Sequence, residues 1–295
     1  MKIRDIFQTT RPTISFEFFP PKDEAAMSHL LETLSRLREL RPSFTSCTHG
    51  AGGSTRARTL EITLKVKQQF GLEAMAHLTC VGQTLKDIDN ALENFAQNGI
   101  ENVLALRGDH PVEQTEPAEG WLPNFKNAVH LVRHIRSSFG GTFSIGCAGY
   151  PEKHPEAPDY ETDLRHLKEK VDAGADFVIT QLYFDNKDFF HFVKRARAFG
   201  IAVPIIAGIM PVTNVAQIKK FTTMCGAGIP EKMQRELDAI ANNTDAVLAY
   251  GVDWSVCQCR ELLGNGVDGL HFYTLNKSKA TRRIVENLRR DGVLK

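Results

Sequence analysis

The sequence predicts a closed (β/α)8 barrel, and three observations carry that reading. Short β-rich runs alternate with helix-length stretches whose apolar residues recur at spacings of three and four; the alternation repeats eight times; and no long linker or low-complexity segment interrupts it within 295 residues. Strict alternation implies parallel strands joined by right-handed crossovers. Eight units in a chain of this length suit a closed barrel better than an open sheet with two exposed edges. An open doubly wound sheet is the competing topology.

The expected strands are "TISFEFF" (13–19), "SFTSCTH" (43–49), "EAMAHLTC" (73–80), "NVLALRGD" (102–109), "FSIGCAGY" (143–150), "FVITQLYF" (177–184), "VPIIAGIM" (203–210) and "GLHFYTLN" (269–276). Between them run amphipathic segments such as "MSHLLETLSRLREL", "TLKDIDNALENFAQNG" and "DLRHLKEKVDAGA". Asn98-Gly99 and Ala173-Gly174 read as helix C-caps leading into the next strand. The stretch 228–265 is longer than one crossover helix needs, which predicts an inserted helix before the last strand. The expectation is one barrel domain over 1–295.

Composition narrows the function classes. The chain is 42% hydrophobic and 24% charged with a formal net charge of +1, so no electrostatic argument favours nucleic acid or an anionic membrane. The start "MKIRDIFQTTRP" has no apolar signal-peptide core, and no apolar run approaches the roughly 20 residues that span a bilayer. A cytoplasmic location is expected. The cysteines Cys47, Cys80, Cys147, Cys225, Cys257 and Cys259 form no C-x-x-C pair, which reads as reduced thiols and no metal site.

In such barrels the chemistry sits at the C-terminal ends of the strands. Those ends are polar here: Glu17 with Phe19-Pro20, Thr48-His49, His77 with Thr79, Arg107-Gly108-Asp109, Tyr150 with His154, Thr180-Gln181, Met210-Pro211, and Tyr273 with Asn276. Each alone could be a solvated loop residue, but eight in register point to a site on one rim. "ISFEFFPPK" sets one carboxylate, Glu17, among Phe16, Phe18 and Phe19. It is either an outward-facing edge residue or an acid kept protonated by apolar neighbours.

The remaining motifs are weaker. "GAGGST" (50–55) fails the dinucleotide and P-loop patterns but offers backbone N–H groups ahead of a helix. "HLVRH" (130–134) lacks the metalloprotease glutamate and reads as a solvated helix face. "RGD" (107–109), at the end of an apolar strand, sets one cation and one anion at the barrel mouth. "YPEKHPEA" (150–157) is either a ligand-packing segment or a plain rigid turn. With no Ser–His–Asp order, metal cluster or nucleophile elbow in view, an organic cofactor is expected to carry the chemistry.

Taken together, "SFEFFPPK", "HLTC", "ALRGD", "YPEKHPEA", "DLRHLKEKVDAGADFVITQLYFD" and "LHFYTLN" resemble the methylenetetrahydrofolate reductase family, in order and along essentially the whole chain. The length is similar to the short bacterial form. The resemblance implies FAD as cofactor and hydride transfer from NADH or NADPH to 5,10-methylenetetrahydrofolate by ping-pong kinetics on one flavin face, feeding methyl groups to methionine synthesis. It further implies small-molecule substrates and a homo-oligomer. A different flavin barrel, such as a proline-dehydrogenase-like enzyme, is the alternative activity, and a barrel that only binds folate or nucleotide is the non-enzymatic one.

Matched position by position, the resemblance makes Glu17 the general acid and Asp109 a negative charge beside flavin and pterin. It assigns FAD binding to Thr48, His49, Ala51, His77, Arg107, Gly108, Asp109, Ala128, Tyr150, His154, Asp163 and Lys170. It assigns substrate binding to Thr48, Asp109, Gln181, Gln217, Phe221, Tyr273 and Lys277. Four positions depart from common family wording. Lys277 stands for an arginine and loses its bidentate fork; Asn127 stands for a tyrosine; His166 and Glu169 stand where some bacterial members have Asn and Arg.

Overall fold

The computed structural model describes residues 1–48, 56–108, 125 and 127–294, apart from the side chains of 56 and 57. Eight parallel strands close in sequence order into one barrel: β1 Thr13–Phe18, β2 Phe44–Cys47, β3 Ala74–Thr79, β4 Asn102–Leu106, β5 Ser144–Gly149, β6 Phe177–Thr180, β7 Ile205–Ile209 and β8 Gly269–Tyr273. Closure comes from β1 and β8, with Ser15 opposite His271 and Glu17 opposite Tyr273. All eight expected strands are present, trimmed where their ends turn into the loops of the rims. The open-sheet alternative is excluded by that closure.

Each strand alternates faces, as a pleated chain must. In β1, Ile14, Phe16 and Phe18 join the large apolar shell between barrel and helices, whereas Glu17 meets groups from β2, β3 and β8 inside the lumen. The lumen floor is apolar: Phe44, Met75, Leu104, Phe177, Ile179 and Ile206 form a separate cluster.

That cluster is completed by α1, Ile3–Thr9, to which the sequence reading gave no element. Its seven residues are too few to display a period, yet Ile3, Ile6 and Phe7 share one face at i, i+3 and i+4 and are all buried. Asn102 anchors it, accepting the Ile3 N–H at 2.7 Å and donating to the Met1 carbonyl at 3.1 Å.

The crossovers are α2 Glu24–Arg38, α3 Arg56–Phe70, α4 Leu85–Gln97, α5 Ala128–Phe139, α6 Tyr160–Asp172 and α7 Asn186–Ala198. Local chemistry sets their ends. Thr84 and Asp87 form a capping box at the start of α4; Gly99 and Gly174 follow the last turns of α4 and α6 at φ +71° and +116°, as the C-cap reading required.

Between β7 and β8 lie α8 Val215–Cys225, α9 Glu231–Ile240 and α10 Thr244–Gly264, and α11 Lys279–Arg290 follows β8. The insertion expected in 228–265 is therefore present. It packs as a satellite cluster in which Met233, Leu237 and Val247 meet Leu182, Phe184, Met210 and Ile218 at the barrel top.

Candidate active site

At the C-terminal mouth, Glu17 projects from β1 into the lumen with its side chain 17% exposed. Its Oε2 lies 3.3 Å from His271 Nε2, 3.4 Å from His77 Nε2 and 3.5 Å from Ser46 Oγ. His271 is fully buried, and its Nδ1 sits 2.8 Å from Ser15 Oγ. With the Ser15 hydroxyl donating to Nδ1, the ring's proton lies on Nε2 and faces the carboxylate.

This arrangement corrects the sequence reading of Glu17. The flanking Phe16 and Phe18 lie on the opposite face of the strand, packed against the helices, and Phe19 is 42% exposed. The walls that face the acid are polar. Burial pushes the carboxyl up, but the hydrogen bond from His271, the neighbouring imidazoles and Ser46 outweigh it and hold Glu17 below its ordinary value. Burial pushes His77 down to about 4 against the pull of Glu17, so that ring is neutral near pH 7. Among the described residues, His77 Nε2 is buried without a hydrogen-bond partner.

Above Glu17 opens a cavity of about 510 Å³ lined by Glu17, Thr48, His77, Arg107, Tyr150, His154, Gln181, Phe221 and Tyr273, among others. A second cavity of about 180 Å³ adjoins it between the ends of β4 and β5 and helices α5 and α6. The two share Leu106, Arg107, Ala148, Tyr150, His154 and Glu156 in their walls. Arg107 holds Glu156 through both terminal guanidinium nitrogens, Nη2 at 2.7 Å. The Tyr150 and His154 rings meet edge to face at 4.6 Å.

His154 Nδ1 accepts the Glu156 N–H at 3.1 Å, and burial, then Arg107, lower its proton affinity. Asp163 Oδ2 accepts the His154 N–H at 3.2 Å, and Lys170 Nζ donates to the Ala148 carbonyl at 2.6 Å. Ala128, His166 and Glu169 complete the smaller cavity. Just after β4, Gly108 sits at φ +86°, where a Cβ would stand 2.9 Å from Thr79 Cβ, so only glycine fits.

Most expected rim residues thus converge. Gln181 accepts the Leu182 N–H at 2.9 Å through its side-chain oxygen, which leaves its amide N–H groups for a ligand. Tyr273 donates its hydroxyl to the Thr180 carbonyl at 2.7 Å and presents its ring. Three described residues expected to bind FAD or substrate lie outside both cavity linings: Gly108, Gln217, one turn before Phe221 on α8, and the exposed Lys277. His49, Ala51, Asp109 and the "GAGGST" loop fall outside the described residues. On α5, His134 pairs with Asp89 at 2.6 Å and is partly buried, so "HLVRH" is a structural contact rather than a solvated face.

The sequence reading missed Ser15, Ser46 and His271. Their signal was the two-residue period: Ser15 shares a face with Glu17, and His271 shares one with Tyr273. It also missed the pin on the loop after β1, where Asn276 accepts the Phe19 N–H at 3.0 Å and donates to the Phe19 carbonyl at 2.8 Å.

Three kinds of comparison bear on this site. The family described as "Methylenetetrahydrofolate reductase" matches residues 2–289. The chain is 42% identical over 298 residues to "Methylenetetrahydrofolate reductase (NADH) 1" of Arabidopsis thaliana, covering 97% of this chain and 50% of the relative. It is 37% identical over 280 residues to "5,10-methylenetetrahydrofolate reductase" of Pectobacterium carotovorum subsp. carotovorum, covering 94% of this chain and 90% of the relative. It thus spans about half the length of the plant relatives it matches.

Among solved structures, a barrel from Clostridium thermocellum superposes with a TM-score of 0.68 at 13% identity, over 99% of this chain and 100% of that one. At that identity the likeness shows the fold. The family match, spanning every strand and every described rim residue, places this chain in the methylenetetrahydrofolate reductase family.

Proposed function

We propose that the chain reduces 5,10-methylenetetrahydrofolate to 5-methyltetrahydrofolate with hydride from NADH or NADPH, the two substrates using one bound FAD in turn, and so supplies methyl groups for methionine synthesis. One observation carries this reading: a lumen carboxylate, Glu17, backed by two imidazoles, sits directly under a cavity walled by a cation and flat rings. The Clostridium thermocellum barrel is described as binding two copies of 5-methyl-5,6,7,8-tetrahydrofolic acid, which agrees with a folate at such a mouth.

The residues present suit FAD. Arg107 and Lys170 offer cations for phosphates, Tyr150 and His154 offer ring faces and edges, and His77 Nε2 is a buried polar atom in need of a partner. Bound FAD supplies the hydride-accepting and hydride-donating chemistry that no side chain has. Asp109 is proposed to supply a negative charge that would tune the reduction potential of bound FAD.

Glu17 is proposed to give its proton to the folate nitrogen whose bond to the one-carbon unit breaks, leaving an electrophilic iminium that accepts hydride. For this the carboxyl must first be loaded. A ligand over the mouth takes water from the exposed part of Glu17 and strengthens the burial that already pushes its proton affinity up. His271 Nε2–H, with Ser15 behind it, keeps the carboxylate oriented until then. Gln181 and Phe221 are proposed to orient each planar substrate in turn, and Lys277 to meet a carboxylate as a single point charge.

The test is anaerobic. The purified, FAD-loaded protein should be bleached by NADH or NADPH and regain its flavin absorbance on adding methylenetetrahydrofolate. Protein that takes up no flavin, or whose reduced flavin ignores the folate, overturns the proposal.

A further inference from the structure

The segment after β5 and the end of α8 meet at Glu152. Its Oε2 accepts the Gly228 N–H at 2.7 Å, while Oε1 is buried with no hydrogen-bond partner among the described residues. A Cβ on Gly228 would lie 3.0 Å from that Oε2. Two residues earlier, Gly226 caps α8 at φ +73° and packs on Pro155, whose Cγ would be 3.0 Å from a Cβ. The two segments therefore touch at two points that leave little or no room for a side chain.

Each segment carries one wall of the larger cavity. The β5 side brings Tyr150 and His154; α8 brings Phe221, Met224 and Cys225. Glu152 lines neither cavity. We propose that Glu152 is a positioning residue: its carboxyl holds the last turn of α8 against the segment after β5, and so fixes the gap that the substrate packing on Phe221 must fit. This rests on the cavity being the substrate site.

The surroundings make the tie sensitive to pH. Asp185 and Asp188 face Glu152 from the start of α7, Tyr160 from the start of α6 and Cys225 from α8. Lys153 turns its ammonium to the His154 and Ala157 carbonyls instead. Burial above all, with help from the two aspartates and against the pull of the Gly228 N–H, pushes Glu152 up to about 7. A carboxyl raised from its ordinary value of 4.5 favours the folded contact while protonated. That support is complete below 4.5 and is lost as pH rises through about 7.

Glu152→Gln keeps an acceptor for Gly228 and cannot ionise; Glu152→Ala removes the tie. In Glu152→Ala, the Gly228 amide should lose hydrogen-exchange protection, and the KM for the folate should rise about five- to tenfold with kcat within about twofold, the mark of lost binding rather than lost chemistry. The equilibrium Kd for FAD should stay within about twofold. The unaltered protein should show a KM that rises between about pH 6.5 and 8, and Glu152→Gln should restore KM and abolish that rise.

Unchanged Gly228 exchange in Glu152→Ala, or a Glu152→Gln protein that keeps the pH-dependent rise, overturns the proposal. The exchange measurement needs no ligand. An unaltered protein that fails to bind folate therefore counts against the proposed function, while the tie itself is still tested.

Discussion

The two ends of the barrel lumen are built from the same strands and filled with opposite chemistries. At the floor, Phe44, Met75 and Phe177 close around Ile3, Ile6 and Phe7 of α1. Two residues further along β2 and β3, the same face carries Ser46 and His77, and β1 adds Glu17. A step of two residues advances the chain by only about 6.6 Å. Over that distance the lumen passes from a dry apolar plug to an ionisable cluster. Stability and reactivity are thereby separated along one axis, and substitutions at the two ends should be read by different instruments.

The sharpest way to break this separation is at the acid. Glu17→Gln keeps the shape and most hydrogen bonds of the cluster but cannot deliver a proton, so folate reduction should fall by about 10²- to 10⁴-fold. Flavin reduction by the nicotinamide should persist, as stopped-flow measurement of the two half-reactions would show. Normal folate turnover in this variant would remove Glu17 from the role. At the floor, Phe177 is fully buried, with ring centroids 5.8 Å from Phe7 and 6.3 Å from Phe44. Phe177→Ala should cost about 3–5 kcal/mol in denaturant unfolding and leave kcat and KM near their starting values.

Even the mouth has a stability cost, and it appears in acid. His77 is 5% exposed and is pushed down to about 4 from 6.5 by burial. The unfolded chain therefore binds the extra proton first. Stability from a neutral His77 is complete above 6.5 and is lost as pH falls toward 4, a difference of roughly 3 kcal/mol. Glu17, held below its ordinary value, contributes above 4.5 and loses its contribution only below that. Unfolding measured from pH 7 to 4 should thus be less pH-sensitive in His77→Gln. An identical slope would show that His77 titrates normally.

How much of this was legible depends on whether the signal was periodic. The eight strands announced themselves because each alternates or runs apolar, and the insertion before β8 announced itself by length. The rim was legible because barrel strands end in register, so Glu17, His77, Tyr150 and Gln181 could be grouped without contacts. The surroundings of Glu17 were not read correctly. Adjacency in "FEFF" suggested a greasy pocket, whereas the pleat sends Phe16 and Phe18 to the other face. What actually faces the acid, Ser46, His77 and His271, comes from three other strands whose register only the closed barrel sets. For the same reason α1 and the Glu152 contact stayed hidden: one is a single short turn pair, the other a pairing between residues 76 positions apart.

The finest test of the separation uses two buried asparagines, one at each end. Asn102 ties α1 to the floor through Ile3 and Met1, and Asn276 ties the loop after β1 to the mouth through both polar groups of Phe19. Each satisfies backbone groups, so Asn102→Ala and Asn276→Ala should each cost about 1–3 kcal/mol of stability. The kinetic consequences should differ. Asn276 fixes the backbone one residue beyond the strand that carries Glu17, and its loss should raise the folate KM about three- to tenfold. Asn102 lies at the opposite end of the lumen, and its loss should leave KM unchanged. Equal kinetic effects from the two variants would mean that the floor and the mouth move as one body, and that the chemical division along the lumen is not a mechanical one.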